Sequence, residues 1–206
     1  MRRPLLLLAL AILSPNSLAA QVQAELTYRI GAFVALEDLE ATVNASGNSL
    51  TTKQETKFSI GARLGVWLIR FFGLESTVEY NRSGRTSFLN GVPQSTIGGH
   101  LLAASARGVL RLGQPDGPIA LVLSGGGGLV DRGGAAVAGL STRTDFGPVA
   151  GAGLRVNLTP DVAARIDVDG YTYRPEFIEA PGQTITGKRQ YDLWITFGLT
   201  GSFKDP

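Results

Sequence analysis

The stretch that decides the fold is "YDLWITFGLTGSF", residues 191–203. Every second residue from Tyr191 onward is apolar or glycine, whereas the residues between them are mostly polar or small, with Trp194 as the exception. A period of two indicates a β-strand whose two faces meet different surroundings. The first question about the fold is therefore which face of this strand meets water.

The same period of two recurs in earlier segments, so the sequence predicts about eight strands. These earlier segments lie at residues 25–36, 57–68, 74–81, 102–112, 119–130, 145–158 and 162–173. Each segment is close to the ~9–11 residues that a tilted strand needs to cross a bilayer. The facing of the fifth segment is ambiguous from the sequence, because it contains the run Gly125–Gly128.

The connections between these segments alternate between long and short. The long polar connections are residues 37–56, 82–96, 131–143 and 174–188, and tight turns join the other neighbours. With antiparallel neighbours, all long connections fall at one end of the sheet and all turns at the other, as in outer-membrane barrels. The sequence therefore predicts an all-β fold, an eight-stranded antiparallel up-and-down transmembrane β-barrel with short periplasmic turns and four longer extracellular loops.

Charged residues indicate which face lies inside. Alternation alone does not separate a membrane barrel from a soluble barrel or sandwich, because both have one apolar and one polar face. Acids and bases lie on the face opposite the apolar stripe in matched numbers, as a closed interior requires of charges that must pair. Glycines share that face and leave room for long side chains in a narrow eight-stranded interior. We predict a lumen ion-pair network of Arg29, Arg63, Glu75, Glu79, Arg107, Arg111, Arg155, Arg165, Asp167, Asp169 and Asp192.

Aromatic residues near the strand ends support the same orientation. Outer-membrane barrels carry aromatic girdles where the lipid meets water. The apolar face of the final strand is therefore predicted to meet lipid, and its polar face the lumen. The predicted girdle residues are Tyr28, Phe58, Tyr80, Phe146, Tyr191 and Phe203.

The first twenty residues have the features of a secretory signal peptide. Two arginines near the start precede an apolar run at residues 5–13, and residues 17–19 fit a small-x-small cleavage pattern. The apolar run is about half the ~20 residues that a transmembrane helix needs. The predicted organisation is a signal peptide at residues 1–20 and one outer-membrane β-barrel domain at residues 21–206.

Composition narrows the possible partners. The chain has no cysteine and one histidine, so we expect no disulfide, no metal site and no cofactor. Without the two N-terminal arginines, 17 basic residues remain against 17 acidic ones. A neutral chain disfavours a nucleic-acid partner, which would require a clear basic excess.

The final strand also resembles that of a known family, the small OmpA/OmpX-like outer-membrane β-barrels. In that family, a terminal strand of alternating apolar and aromatic residues is read by the barrel-insertion machinery. The resemblance implies a Gram-negative outer-membrane location, that machinery as a partner, and contact with outer-membrane lipid and lipopolysaccharide. The chain departs from the family pattern by continuing through Lys204-Asp205-Pro206. The implied C-terminal insertion signal is Tyr191, Leu193, Ile195, Phe197, Leu199 and Phe203.

No motif in the sequence predicts catalysis. The glycine-rich stretch Ser124–Gly134 lacks the Gly-Lys-Ser/Thr ending of a phosphate loop, and His100 has no catalytic partner at a suitable spacing. The carboxylates of Asp167 and Asp169 are better explained by ion pairing with neighbouring arginines. We expect a structural or surface-interaction role, such as envelope integrity or adhesion-like loop contacts with an unknown surface ligand, and no enzymatic activity. The alternatives are a narrow passive pore and a soluble periplasmic ligand-binding β-barrel.

Overall fold

The computed structural model describes residues 23–36, 40–43, 47–114, 117–135, 144–180, 183–186 and 189–204. The predicted signal peptide, residues 1–20, and the final residues 205–206 lie outside these ranges. The described strands, in chain order, are β1 (Gln23–Ala35), β2 (Glu40–Val43), β3 (Ser49–Gln54), β4 (Lys57–Trp67), β5 (Phe72–Asn81), β6 (Arg85–Leu89), β7 (Val92–Ile97), β8 (Gly99–Leu112), β9 (Ile119–Gly134), β10 (Thr144–Asn157), β11 (Val162–Tyr173), β12 (Glu176–Ala180), β13 (Gln183–Thr186) and β14 (Gln190–Lys204).

Eight of these strands close into an antiparallel barrel. Their order around the barrel is β1, β4, β5, β8, β9, β10, β11 and β14, and β14 returns to pair with β1. The closing ladder runs from the pair Gln23–Lys204 to the pair Ala35–Asp192. Closure satisfies the backbone hydrogen-bonding groups of both strands and leaves no open barrel edge. The predicted all-β, eight-stranded antiparallel barrel is confirmed.

The barrel turns its apolar face outward. Tyr28 is 70% exposed and Phe146 is 75% exposed, whereas Arg29 and Arg63 are each 2% exposed. All six predicted girdle aromatics lie on this outer surface. A soluble barrel has the opposite arrangement, so the predicted orientation of the two faces is confirmed.

Strand β9 resolves the facing that the sequence left ambiguous. Leu121 and Leu123 are exposed on the outer surface, and Ala120 and Val122 are buried inside. The alternation therefore continues through β9, although its glycines hide it in the sequence.

The two ends of the barrel differ in their connections. At one end, which we call the turn-side end, residues 68–71, 113–118 and 158–161 join neighbouring barrel strands. At the other end, the loop-side end, the connections carry strands of their own. Strands β2, β3, β6 and β7 form a four-stranded sheet, which we call the extension, and β12 pairs with β13. Residues 37–56 and 82–96, predicted as polar loops, therefore contain paired strands in their described parts.

A tight turn organises the extension. Asn90 and Gly91 join β6 to β7 with φ angles of 51° and 79°, and two central residues with positive φ are typical of a type I′ hairpin turn. Asn90 also exchanges hydrogen bonds with the start of β3. Its backbone N–H donates to the Ser49 carbonyl at 2.8 Å, and its Oδ1 accepts from the Ser49 N–H at 2.9 Å. These bonds tie the two long connections into one sheet.

Candidate functional site

The middle of the barrel holds four arginines and four carboxylates. All eight residues are at most 4% exposed. Equal numbers of the two charges matter here because an unpaired charge in a dry interior carries a large desolvation penalty. We call this set the ionic centre, and its members are Arg29, Arg63, Arg107, Arg165, Glu75, Glu79, Asp167 and Asp169.

Three arginines share the carboxylate of Asp169. Its Oδ2 lies 2.6 Å from Nη2 of Arg29 and 3.7 Å from Nη2 of Arg63. Its Oδ1 accepts a hydrogen bond from Nη1 of Arg107. These contacts join strands β1, β4, β8 and β11 across the lumen. The bonds from Arg29 and Arg107 are charge-assisted hydrogen bonds, which are among the stronger hydrogen bonds in proteins, whereas the contact of Arg63 is an ion pair.

Arg63 and Arg165 bridge the same two carboxylates. Arg165 lies 2.5 Å from Glu75 and 2.7 Å from Asp167. Arg63 lies 3.3 Å from Glu75 and 2.9 Å from Asp167. The four side chains therefore form a closed ring of ion pairs. Glu79 completes the ionic centre through Arg29, at 2.5 Å.

Glycines on the inner face of β10 make room for these side chains. A Cβ atom on Gly151 would lie 2.2 Å from Oδ1 of Asp169, and a Cβ atom on Gly153 would lie 2.3 Å from Oδ1 of Asp167. Both distances are far below van der Waals contact, so any larger residue would displace a carboxylate of the ionic centre. The predicted role of inward glycines as space for long side chains applies at these two positions.

Two of the predicted network residues form a separate cluster near the turn-side end. Arg155 lies 2.8 Å from Oε2 of Glu25, and Arg111 lies 3.5 Å from Oε1 of the same residue. The guanidinium of Arg111 also lies 3.8 Å from the ring centre of Trp67, within cation–π distance. Arg111 and Arg155 are therefore inside the barrel, but they pair with Glu25 and not with the ionic centre.

Asp192 lies apart from the ionic centre, near the loop-side end. Its carboxylate accepts a hydrogen bond from the Tyr173 hydroxyl. Arg132 forms an ion pair with Asp145, and its guanidinium lies 4.6 Å from the ring centre of Tyr173. Arg132 was missed because residues 131–143 were predicted as a loop. Continuing the period of two beyond Val130 would have placed it inside.

An apolar layer separates Asp192 from the ionic centre. Trp194 is fully buried, pairs in register with both Phe33 and Asp169, and makes edge-on ring contacts with Phe33 at 5.1 Å and Tyr171 at 6.3 Å. The prediction of a polar lumen is therefore wrong for this layer. We call it the aromatic cap, and its members are Phe33, Leu101, Ala103, Val130, Val149, Tyr171, Tyr173 and Trp194.

Side chains from all eight barrel strands fill the interior. The predicted network residues are between 1% and 8% exposed. A water-filled channel would leave charged side chains accessible to solvent, whereas these are buried and have partners inside the barrel. The geometry is that of a plugged barrel, as expected for a narrow eight-stranded interior.

The residues of the predicted insertion signal lie along the outer surface of β14. Leu193 is half-buried, and the other members are between 41% and 62% exposed. This placement puts them where another protein or lipid can touch them. Their part in insertion stays a prediction.

In the described part of the chain, no cluster of three or more His, Cys, Asp or Glu side chains is arranged to hold a metal ion. The same residues include no helix that is long and apolar enough to cross a membrane.

Solved structures share this fold at low sequence identity. The outer-membrane protein OprG from Pseudomonas aeruginosa matches with a TM-score of 0.66 and 10% identity, over 90% of this chain and 98% of OprG. The outer-membrane protein AlkL, determined in lipid bilayers, matches with a TM-score of 0.61 and 13% identity, over 90% and 92%. Neisserial surface protein A matches with a TM-score of 0.52 and 17% identity, over 88% and 97%. The sequence matches no family model and no curated protein.

These similarities identify the fold. The chain has the architecture of the small eight-stranded outer-membrane β-barrels, as the resemblance of its final strand implied. The sequence identities of 10–17% are too low to assign the functional residues of those proteins to positions in this chain.

Proposed function

We propose that this chain is an integral outer-membrane protein with a plugged lumen, and that it works by presenting the extension at the cell surface. The observation that carries the proposal is the reversal of its two faces. Apolar side chains cover the outside of the barrel, and paired charges fill the inside. The proposal assigns the chain no catalytic step and no transport through the lumen.

The outer surface supports a membrane location. Its exposed residues include large apolar side chains on every barrel strand, such as Ile30, Leu64, Leu121 and Leu199. Soluble monomers rarely expose apolar patches beyond a few hundred Å². Membrane barrels are covered by an apolar band between two aromatic girdles. The likeness to AlkL, a structure determined in lipid bilayers, points the same way.

The ionic centre argues against the alternative of a passive pore. Ions can cross a narrow barrel only where water fills the space inside it. In this barrel that space is occupied, because Arg29 and Arg107 form hydrogen bonds to Asp169 across the lumen. The aromatic cap adds a second, apolar layer in the same path. Opening a path would require breaking both layers, so we expect no steady conductance.

The extension is the part of the chain best placed to meet a partner. It continues from β1, β4, β5 and β8, and hydrogen bonds join its two connections to each other beside the barrel. The Ser83 hydroxyl donates to the Glu55 carbonyl at 2.5 Å, and the Gln54 amide donates to the Ser83 hydroxyl at 3.1 Å. Loops on rigid scaffolds commonly carry binding functions. One protein of similar fold is named as a surface protein, which is consistent with this role.

Cysteine labelling on intact cells tests the proposed location and orientation, because the chain has no native cysteine. Gln94→Cys lies on exposed strand β7 of the extension, and Asp161→Cys lies in an exposed turn at the turn-side end. We expect a membrane-impermeant maleimide to label Gln94→Cys on intact cells. Asp161→Cys should be labelled only after the outer membrane is opened. If only Asp161→Cys were labelled on intact cells, the turn-side end would face the outside, and the proposal would be wrong.

A second experiment separates the plugged barrel from a pore. The protein is reconstituted into planar bilayers, and its folded state is checked by faster migration of the unboiled sample on a denaturing gel. We expect the heat-dependent shift and no steady conductance. Steady single-channel currents from wild-type protein that shows the shift would support the pore instead. Protein that is released from the periplasm without detergent would support a soluble barrel.

A further inference from the structure

A cleft of about 460 Å³ opens on the outer surface of the barrel. Small residues form its floor, namely Ser76, Ala104, Ala106 and Gly127. Larger side chains flank them, namely Val78, Leu129 and Phe146. The cleft therefore lies on the side that meets lipid in the proposed function, and its lining is almost entirely apolar.

The strand register explains the shape of the cleft. Ser76 lies beside Ala106, and Ala106 lies beside Gly127, so three small residues are neighbours on adjacent strands. In the row toward the loop-side end, Phe146 pairs with Leu129 and closes one side. A Cβ atom on Gly127 would have no atom within 4 Å, so the space above the floor is open.

Two basic residues lie beyond the loop-side end of the cleft. Arg82 directly follows β5 and His100 lies in β8, each one residue past the pair Asn81–Leu101. Arg82 is exposed, and alternation with buried Asn81 puts it on the outer surface. The imidazole of His100 lies over Gly133, where a Cβ atom would be 2.1 Å from its Nε2, and its ring centre is 5.9 Å from that of Tyr80.

This arrangement fits an amphiphile with an anionic head. Ala104 lies four positions after His100, which is roughly 13 Å along a strand. An apolar chain can run from the basic pair past Leu102 into the cleft. Guanidinium groups bind phosphate oxygens with two parallel hydrogen bonds, and a histidine N–H adds another donor. Charge complementarity thus selects a phosphate-bearing lipid.

A second copy of the chain fits this surface less well. A two-fold interface places the same patch of both copies in contact. Two copies in one membrane have their loop-side ends at the same level. Arg82 would then face the same residue of the partner, and the two guanidinium charges would repel.

We infer that the cleft holds an acyl chain of lipopolysaccharide, with a lipid A phosphate bound by Arg82 and His100. This inference rests on the proposed function, because the loop-side end must face the outer leaflet, where lipopolysaccharide is the abundant lipid. Anionic glycerophospholipids also carry a phosphate group. The orientation of the barrel favours lipopolysaccharide over them, because the cleft's basic end then lies in the outer leaflet.

Native mass spectrometry of protein refolded without lipid tests the site directly. Lipid A and phosphatidylglycerol are titrated separately, and bound molecules are counted. Ala106→Leu with Gly127→Leu fills the cleft, and Arg82→Gln with His100→Gln removes the phosphate donors. Ala62→Leu and Arg174→Gln are the matched controls, since they make the same kinds of change elsewhere on the outer surface. Every variant must show the heat-dependent gel shift, which establishes folding independently of lipid binding.

We expect one tightly bound lipid A in the wild type and about tenfold weaker binding in each double variant, a change of about 1.4 kcal/mol. Both controls should bind like the wild type. Unchanged lipid A binding in the filled variant would overturn the site. Equal affinity for phosphatidylglycerol would overturn the choice of lipopolysaccharide. If the wild-type protein formed a dimer and the variant with Ala106→Leu and Gly127→Leu did not, a second copy of the chain would be the better occupant. Failure of the proposed function would give a different result: the cysteine labelling on intact cells would be reversed, while lipid binding to the purified protein would be unchanged.

Discussion

The ionic centre and the aromatic cap fill neighbouring parts of the same lumen by different physics. In the ionic centre, Asp169 is shared by three arginines through directional, charge-assisted contacts. In the aromatic cap, Trp194 contacts the rings of Phe33 and Tyr171, and its indole N–H donates to none of the described residues. The two layers meet where Trp194 and Asp169 pair in register.

The difference predicts how each layer responds to damage. Removing one member of a buried ion-pair network leaves its partners charged, buried and uncompensated, and the penalty is electrostatic. Removing part of a packed ring leaves a cavity, and the penalty depends on how far the neighbours relax. Neutralising one charge in the ionic centre should therefore cost more stability than truncating one ring in the aromatic cap.

The largest effect is expected for Asp169→Asn. The change keeps the shape of the side chain, but it leaves the four arginines of the ionic centre facing three carboxylates. We expect a loss of about 3–5 kcal/mol in the free energy of unfolding, typical of breaking a buried pair. Urea unfolding in detergent micelles measures it, with the fraction of heat-shifted protein on unboiled gels as the readout.

A compensating change sharpens this prediction. Arg107→Met in the Asp169→Asn background restores equal numbers of charges in the ionic centre. We expect the double variant to be more stable than Asp169→Asn alone, with a coupling of about 1–3 kcal/mol for directly contacting residues. If the two losses simply add, charge balance does not govern this layer, and the contrast with the aromatic cap fails.

A smaller effect is expected for Trp194→Leu. The change leaves a cavity beside Phe33 and Tyr171, but it also removes a buried indole N–H that has no hydrogen-bond partner among the residues the structure describes. We expect a loss of about 2 kcal/mol, below the usual range for removing a large aromatic side chain, because removing the unsatisfied donor offsets part of the cost. The same gel-based urea titration measures it. A loss as large as that of Asp169→Asn would remove the distinction between the layers.

Most of the barrel could be predicted from the sequence because its two faces meet such different surroundings. The period of two located all eight barrel strands and placed every predicted network residue inside. The aromatic cap carried the same signal, since Phe33, Tyr171, Tyr173 and Trp194 share the parity of the inward charges. It was missed because the lumen was expected to be polar along its whole length.

Other features lay beyond a reading of single strands. Which arginine meets which carboxylate depends on the stagger of strands far apart in the chain. Arg29 and Asp169, for example, are 140 positions apart. The extension did have a local signal, Asn90-Gly91 between two short β-prone runs, which is a strong indicator of a hairpin. The polar composition of residues 82–96 concealed it.

The smallest effect is expected where an ion pair lies in water. Lys57 and Glu55 are 3.4 Å apart at the loop-side rim, with side chains 49% and 27% exposed. We expect Lys57→Met to change the free energy of unfolding by no more than about 0.5 kcal/mol, because solvent screens the pair and both side chains lose rotamer freedom in forming it. The same urea titration at low and high salt measures the change.

This pair isolates burial as the cause of the difference between charged sites. Lys57–Glu55 and the pairs of Asp169 each join a cationic side chain to a carboxylate, with an ammonium group in the first and guanidinium groups in the second. The largest difference between the two sites is access to water. The wild-type stability should therefore depend little on salt, because its strongest pairs lie where ions do not enter. If Lys57→Met cost as much as Asp169→Asn, ion pairing alone would set stability, and burial inside the barrel would no longer be needed to explain the ionic centre.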